Sequence, residues 1–174
     1  SAGTEGLPAG PITLNRGEVE RMAVTGPGGH GDFVVHADLP IFVHGFMVSA
    51  TMATAGADIG DPAMVAIPPA EQFLTRQVVL VPPNWDNDHL LLLRPAGASV
   101  ELDGSTLDDS LFSAVGGGDW EVARFSASDG VHVIDGGEDP VGVIVLGFDQ
   151  WDSYAYTGGT GAKVINTDPT PPVD

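Results

Sequence analysis

Gly-Pro, Pro-Pro, Asp-Gly and Gly-Gly pairs cut this chain into short apolar runs, and no window carries the period of a long amphipathic helix. Val, Ile, Leu and Phe fill the runs, the residue types that suit a pleated, half-buried surface. Strands are expected at 18–24, 32–37, 41–49, 63–67, 76–81 and 89–94, then at 99–102, 120–127, 131–134, 141–148 and 162–165. The clearest turns are Asp103-Gly104 and Asp129-Gly130, where glycine admits a positive φ. Residues 69–73 read as one helical turn, 107–115 as a short helical excursion, and 48–60 as a long loop rich in Ala, Thr and Gly. About eleven strands in one domain imply an all-β fold, a β-sandwich with jelly-roll or Greek-key wiring, long loops and little or no helix.

The length, 174 residues, is enough to bury a core without staples, and a hydrophobic share of 43% separates the chain from disordered tails. Residues 1–14 read as a leader or linker, 15–166 as a single domain, and 167–174 as a Pro-rich tail of the kind that joins modules. Charge is lopsided. Lys and Arg number 6 against 24 Asp and Glu, a net charge of −18, which repels nucleic-acid backbones and anionic membranes alike. The absence of cysteine removes disulfides, thiolate metal sites and cysteine nucleophiles. The longest apolar stretch, 141–148, is far too short to span a bilayer as a helix, so no transmembrane segment is expected.

Two acidic-aromatic clusters stand out. In Trp85-Asp86-Asn87-Asp88-His89, three side-chain oxygens in sequence suit calcium, which takes six to eight oxygen ligands. Asp86, Asn87 and Asp88 are thus candidate calcium ligands with Trp85 as a contact aromatic. The other reading is a solvated turn with Trp85 tucked over the core. The second cluster runs from Asp149 through Gln150, Trp151 and Asp152 to Tyr154 and Tyr156. It follows the strongest strand and so belongs at an end of the sandwich, where binding loops gather. Trp151, Asp149 and Asp152 are candidate ligand contacts, while the two tyrosines read as closing the sandwich edge.

Catalytic signatures are thin. His30, His36, His44, His89 and His132 are scattered, with no pair at metal-ligand spacing, and Glu71, Glu101, Glu121 and Glu138 are too common a type to single out as an acid–base pair. No nucleophile elbow, P-loop or dinucleotide fingerprint occurs. The chain therefore reads as a binding module and not as an enzyme, and beyond calcium no cofactor is implied.

Several ordered phrases carry a resemblance. They are Asn15-Arg16-Gly17-Glu18-Val19, the run 33–43, Gly60-Asp61-Pro62-Ala63-Met64-Val65, Pro68-Pro69-Ala70-Glu71-Gln72-Phe73, and the run 96–104. Gly130-Val131-His132-Val133-Ile134, Gly147-Phe148-Asp149, Ser153-Tyr154-Ala155-Tyr156 and Gly158-Gly159 complete the series. In this order the chain resembles the IgGFc-binding protein N-terminal domain family over residues 15–166, departing at Thr157, where proline is more usual. That family occurs in an animal mucus protein and in large surface proteins of bacteria. The resemblance implies the C-terminal part of the family domain, in a bacterial, extracellular or cell-surface protein. It further implies adhesion or recognition by a monomeric module of a longer chain, with a protein or glycan as partner and no catalytic residues. Two alternatives remain: a structural spacer stabilised by calcium and, with the least support, a jelly-roll hydrolase.

Overall fold

The computed structural model describes residues 4–26, 31–53 and 57–162. The tail at 167–174, His30 and all but Ala162 of the strand expected at 162–165 lie outside the described residues.

Strand β1 (Val43–Phe46) and β2 (Met64–Ile67) pair as a two-stranded sheet, with a one-turn helix α1 (Ala50–Ala53) between them. The chain continues through β3 (Arg76–Val81), β4 (Asn87–Pro95), β5 (Glu101–Leu102), β6 (Ser105–Thr106) and β7 (Phe112–Val115). It ends with β8 (Trp120–Ser126), β9 (Gly130–Asp135), β10 (Gly142–Asp149) and β11 (Asp152–Thr157). A five-stranded sheet has the order β11-β10-β4-β8-β7 and a four-stranded sheet the order β3-β9-β5-β6. Every ladder is antiparallel. The protein is an all-β sandwich, and the chain changes sheet after β3, β4, β6, β8 and β9.

Period-two alternation explains the core. Leu90 and Leu92 of β4 and Val143 and Val145 of β10 form one cluster with Val79 and Val81 of β3 and Ile134 of β9. Each such buried side chain stabilises the fold by roughly 1.5–3 kcal/mol. The inner face of β4 reads Asp88, Leu90, Leu92, Arg94, all buried, so an acid and a base bracket the leucines. Arg94 is fully satisfied. Its guanidinium donates to Glu121 at 2.8 Å, to the Ala98 carbonyl at 2.7 Å and to Asp109 at 3.0 Å, and lies 3.5 Å from the centre of the Phe112 ring. This is a buried charge made tolerable by complete hydrogen bonding.

The five-stranded sheet is covered on its other face as well. Residues 31–41 cross it as extended chain with no ladder of their own and are tied down by the Asp32–Arg124 ion pair. They roof a groove of about 650 Å³ whose floor includes Leu91, Leu93, Val122 and Ile144.

Several expectations need correction. Residues 18–24 form no strand; Val19 is 87% exposed there, so the alternation has no sheet face to bury. Residues 32–37 form no strand either, since they lie over a sheet and do not pair within one. The helical excursion at 107–115 shrinks to one 3-10 turn, Asp109–Leu111, started by the Asp108 side chain accepting from the Ser110 N–H, after which Phe112 and Val115 turn inward as β7. The loop at 48–60 contains α1, and β6 and β11 were not expected. The single turn at 69–73 is present as the 3-10 turn Ala70–Gln72. No helix of the described residues is long and apolar enough to cross a membrane.

Candidate functional site

The ladder registers bring the two acidic-aromatic clusters to one end of the sandwich. Asn87 and Asp88 open β4 opposite Phe148 and Gly147 of β10, and Gly147 in turn faces Tyr154 of β11. The same end carries the β8–β9 turn, because Val81 closes β3 opposite Gly130.

The β10–β11 hairpin closes with Asp149 opposite Asp152, leaving Gln150 and Trp151 as the two-residue turn. Trp151 has φ of 55°, a conformation that bulky residues rarely adopt. Residues 58–61 clasp the turn. The Trp151 N–H donates to the Asp58 carbonyl at 2.8 Å, the Gly60 N–H to the Asp149 carbonyl at 2.8 Å, and the Gln150 amide to the Asp58 carboxylate at 3.1 Å. The Asp61 N–H donates to Ser153 Oγ at 2.9 Å. Held this way, Trp151 is 53% exposed, in a turn bounded by Asp149 and Asp152, whose carboxylates each accept from the next residue's N–H. Strained residues over-determined by their surroundings cluster at ligand-contacting positions.

Behind this tip the aromatics are structural. Tyr154 donates to Asp88 Oδ1 at 2.6 Å, and Trp85 packs edge-on against Tyr154 with centroids 4.7 Å apart. Burial first, then the neighbouring Asp88 carboxylate, pushes the Tyr154 hydroxyl well above the usual phenol range. A Cβ on Gly147 would lie 2.2 Å from Tyr154 Cε1, so only glycine lets the tyrosine cross β10 here. The Tyr156 hydroxyl donates to the Leu80 carbonyl and accepts from the Leu80 N–H, tying β11 to the edge of the opposite sheet. Asp86, Asn87 and Asp88 are not gathered: Asp86 and Asn87 are exposed, and Asp88 follows Asn87 on the opposite, buried face of β4.

The histidines lie apart. His44 stands on β1 and His36 over the groove, and His89 sits on β4 edge-on to Phe148. His132 is a buried clamp: Nδ1 meets Asp103 Oδ2 at 2.7 Å and Nε2 meets the Ser128 carbonyl at 2.8 Å. Burial opposes a charge on its ring, yet the Ser128 carbonyl and the Asp103 carboxylate outweigh burial and raise its pKa above 6.5. Among the described residues no three His, Cys, Asp or Glu side chains group to hold a metal ion. Glu71 borders the groove, Glu121 pairs with Arg94, Glu101 lies on β5 and Glu138 in the β9–β10 turn, on separate elements.

Sequence reasoning missed the groove, the Arg94 cluster and the His132 clamp. The groove depends on the path of residues 31–41, for which no local pattern exists. The Asp103–His132 pairing was weakly signalled by the Asp103-Gly104 turn, whose Asp103 takes φ of 52°.

The family model described as IgGFc binding protein matches residues 3–147. The match takes in Trp85 and the opening of β4 and stops before the Trp151 turn. No curated protein and no solved structure matches.

Proposed function

The chain belongs to the IgGFc-binding protein family, and from that premise we propose that it is an extracellular recognition module. In this reading it holds a protein partner at the sandwich end formed by the β10–β11 turn. It acts as part of a surface protein and serves adhesion. The observation that carries the reading is Trp151, held at positive φ by the Asp58 clasp with half its surface in solvent. Exposed tryptophans are enriched among the residues that dominate protein–protein binding energy. Asp149 and Asp152 close the turn that carries Trp151 and supply its polar rim, and Trp85 supports the tip through Tyr154.

The test is an array of serum and mucosal proteins, immunoglobulin Fc among them, with a panel of glycans as the second arm. Wild type and Trp151→Ala are compared, each with calcium and with chelator. Retention of a protein that weakens at least tenfold in the variant, on the order of 1.4 kcal/mol or more, supports the reading. Binding that ignores the substitution, binding confined to glycans, or no binding by wild type rejects it.

A further inference from the structure

In a chain of net charge −18, residues 39–57 and 62–70 contain no Asp, Glu, Lys or Arg. These runs build β1, α1 and β2. On the outer face of β1 the rings of Phe42, His44 and Phe46 form a stripe, with centroids 5.3 and 6.4 Å apart between neighbours. Phe42 is 84% and Phe46 69% exposed, and Met64, exposed as well, stands opposite Phe46 on β2.

Among the described residues, no strand pairs with the other edge of β1. The Met47 N–H donates to the Ala63 carbonyl at 2.8 Å, which fixes the ladder phase. By alternation, Gly45 and Val43 bond to β2, and the backbone groups of His44 and Phe46 turn the other way. The other side of this small sheet is taken, since Thr157 of β11 donates to the Ala66 carbonyl of β2. Exposed edges are normally protected by charge, lysine or proline within the strand. β1 has none of these.

We propose that β1 is a self-association edge, on which a second copy of this chain adds its own β1 antiparallel about a two-fold axis at His44. The spacing is self-complementary: with His44 opposite His44 of the second copy, Phe42 falls opposite Phe46, and Phe46 opposite Phe42. Within β1, His44 and Phe46 both carry outward backbone groups, so the central pair of this register can form ladder hydrogen bonds. The self-complementary register points to a second copy, and charge selects the face on which two copies can meet. Two strongly acidic molecules repel across most of their surfaces and meet without repulsion only where neither carries charge. Each phenylalanine supplies on the order of 150–250 Å² when fully covered, so the contact falls short of the roughly 800 Å² per partner of a standard interface. The dimer is accordingly weak and strengthens with salt, which screens the remaining repulsion.

Sedimentation velocity of the full chain, from micromolar to submillimolar concentration at low and high salt, tests this. Wild type is expected to show a concentration-dependent shift toward dimer, larger at high salt. His44→Glu and His44→Lys each place like charges opposite one another and weaken association on the order of several-fold. An equimolar mixture of the two variants restores it, because glutamate then faces lysine. His44 is exposed, so thermal melts matching wild type establish that both variants fold. A monomeric wild type at all concentrations and both salts, variants that dimerise like wild type, or a mixture that stays monomeric would each overturn the proposal.

Discussion

Tyr154 and Asp88 meet inside the sandwich through a 2.6 Å hydrogen bond that joins the first core-facing position of β4 to β11 across β10. Asp88 is only 6% exposed, so the phenol supplies hydrogen bonding that water does not. Tyr154→Phe should therefore destabilise the protein by about 1–3 kcal/mol, the cost of a buried acceptor left without its donor. Urea denaturation followed by tryptophan fluorescence reads this directly, with Trp85 on the affected ring. A change under about 0.5 kcal/mol would mean that water replaces the hydroxyl.

The same bond gives an alkaline limit. Burial and then Asp88 raise the Tyr154 pKa above 10.0 in the folded state. The unfolded chain then loses this proton at lower pH than the folded chain does. The stabilisation is fully present below pH 10 and is lost as pH rises beyond it. Melting curves across that range should fall less steeply for Tyr154→Phe than for wild type.

Tyr156 clamps an edge strand by both backbone groups of Leu80. Tyr156→Phe should cost about 0.5–1.5 kcal/mol and speed amide exchange at Leu80 more than at the core amides of β4. Equal acceleration everywhere would show global loosening and not a local clamp.

The His132–Asp103 clamp predicts a stability plateau with two flanks. His132 is raised above 6.5 by the Ser128 and Asp103 acceptors, which outweigh the opposing effect of burial. Its contribution is fully present below pH 6.5 and is lost as pH rises through the folded value. The Asp103 carboxylate is lowered below 3.8, by the Val133 N–H first and then by His132. Its contribution is present above pH 3.8 and is lost as pH falls through the folded value. His132→Gln should flatten the upper flank of a Tm–pH profile, and in Asp103→Asn the histidine should titrate at lower pH by NMR. An unmoved histidine titration would discard the pair.

Arg94 is the buried base at the far end of β4. Arg94→Met should destabilise by about 3 kcal/mol or more, because Glu121, the Ala98 carbonyl and Asp109 lose four directed contacts at once. Arg94→Lys should recover only part of this, since an ammonium cannot both fork to Glu121 and lie flat on Phe112. Chemical denaturation of the two variants side by side measures the difference.

Where a strand had a regular face to bury, the sequence was enough to locate it. Residues 76–81 coincide with β3, and β4, β8, β9 and β10 lie within two residues of their expected bounds. Residues 18–24 and 32–37 carry the same local pattern and fail, because alternation does not say whether a neighbouring strand exists. β11 was hidden by its composition: Asp152 to Thr157 looks like a polar loop, yet Tyr154 and Tyr156 face inward through hydroxyls that find partners. The sequence marked out two acidic-aromatic clusters and expected the one at 149–156 at an end of the sandwich. It could not show that they share one end, that Trp151 points outward while Trp85 leans on Tyr154, or that Asn87 and Asp88 part company. Those facts depend on ladder register, which arises from long-range pairing.

The bracketed face of β4 also fixes its register. If β4 slipped by a single residue against β8 and β10, His89, Leu91 and Leu93 would turn inward, and Asp88 and Arg94 would be stranded away from Tyr154 and Glu121. Leucines alone are interchangeable enough to forgive such an error, since Leu90 to Leu93 run consecutively. The oppositely charged ends act as two keyed stops on an otherwise featureless slide. A deletion inside the four-leucine run should therefore trap misaligned chains, whereas the same deletion in the loop before Asn87 should leave the pairing intact.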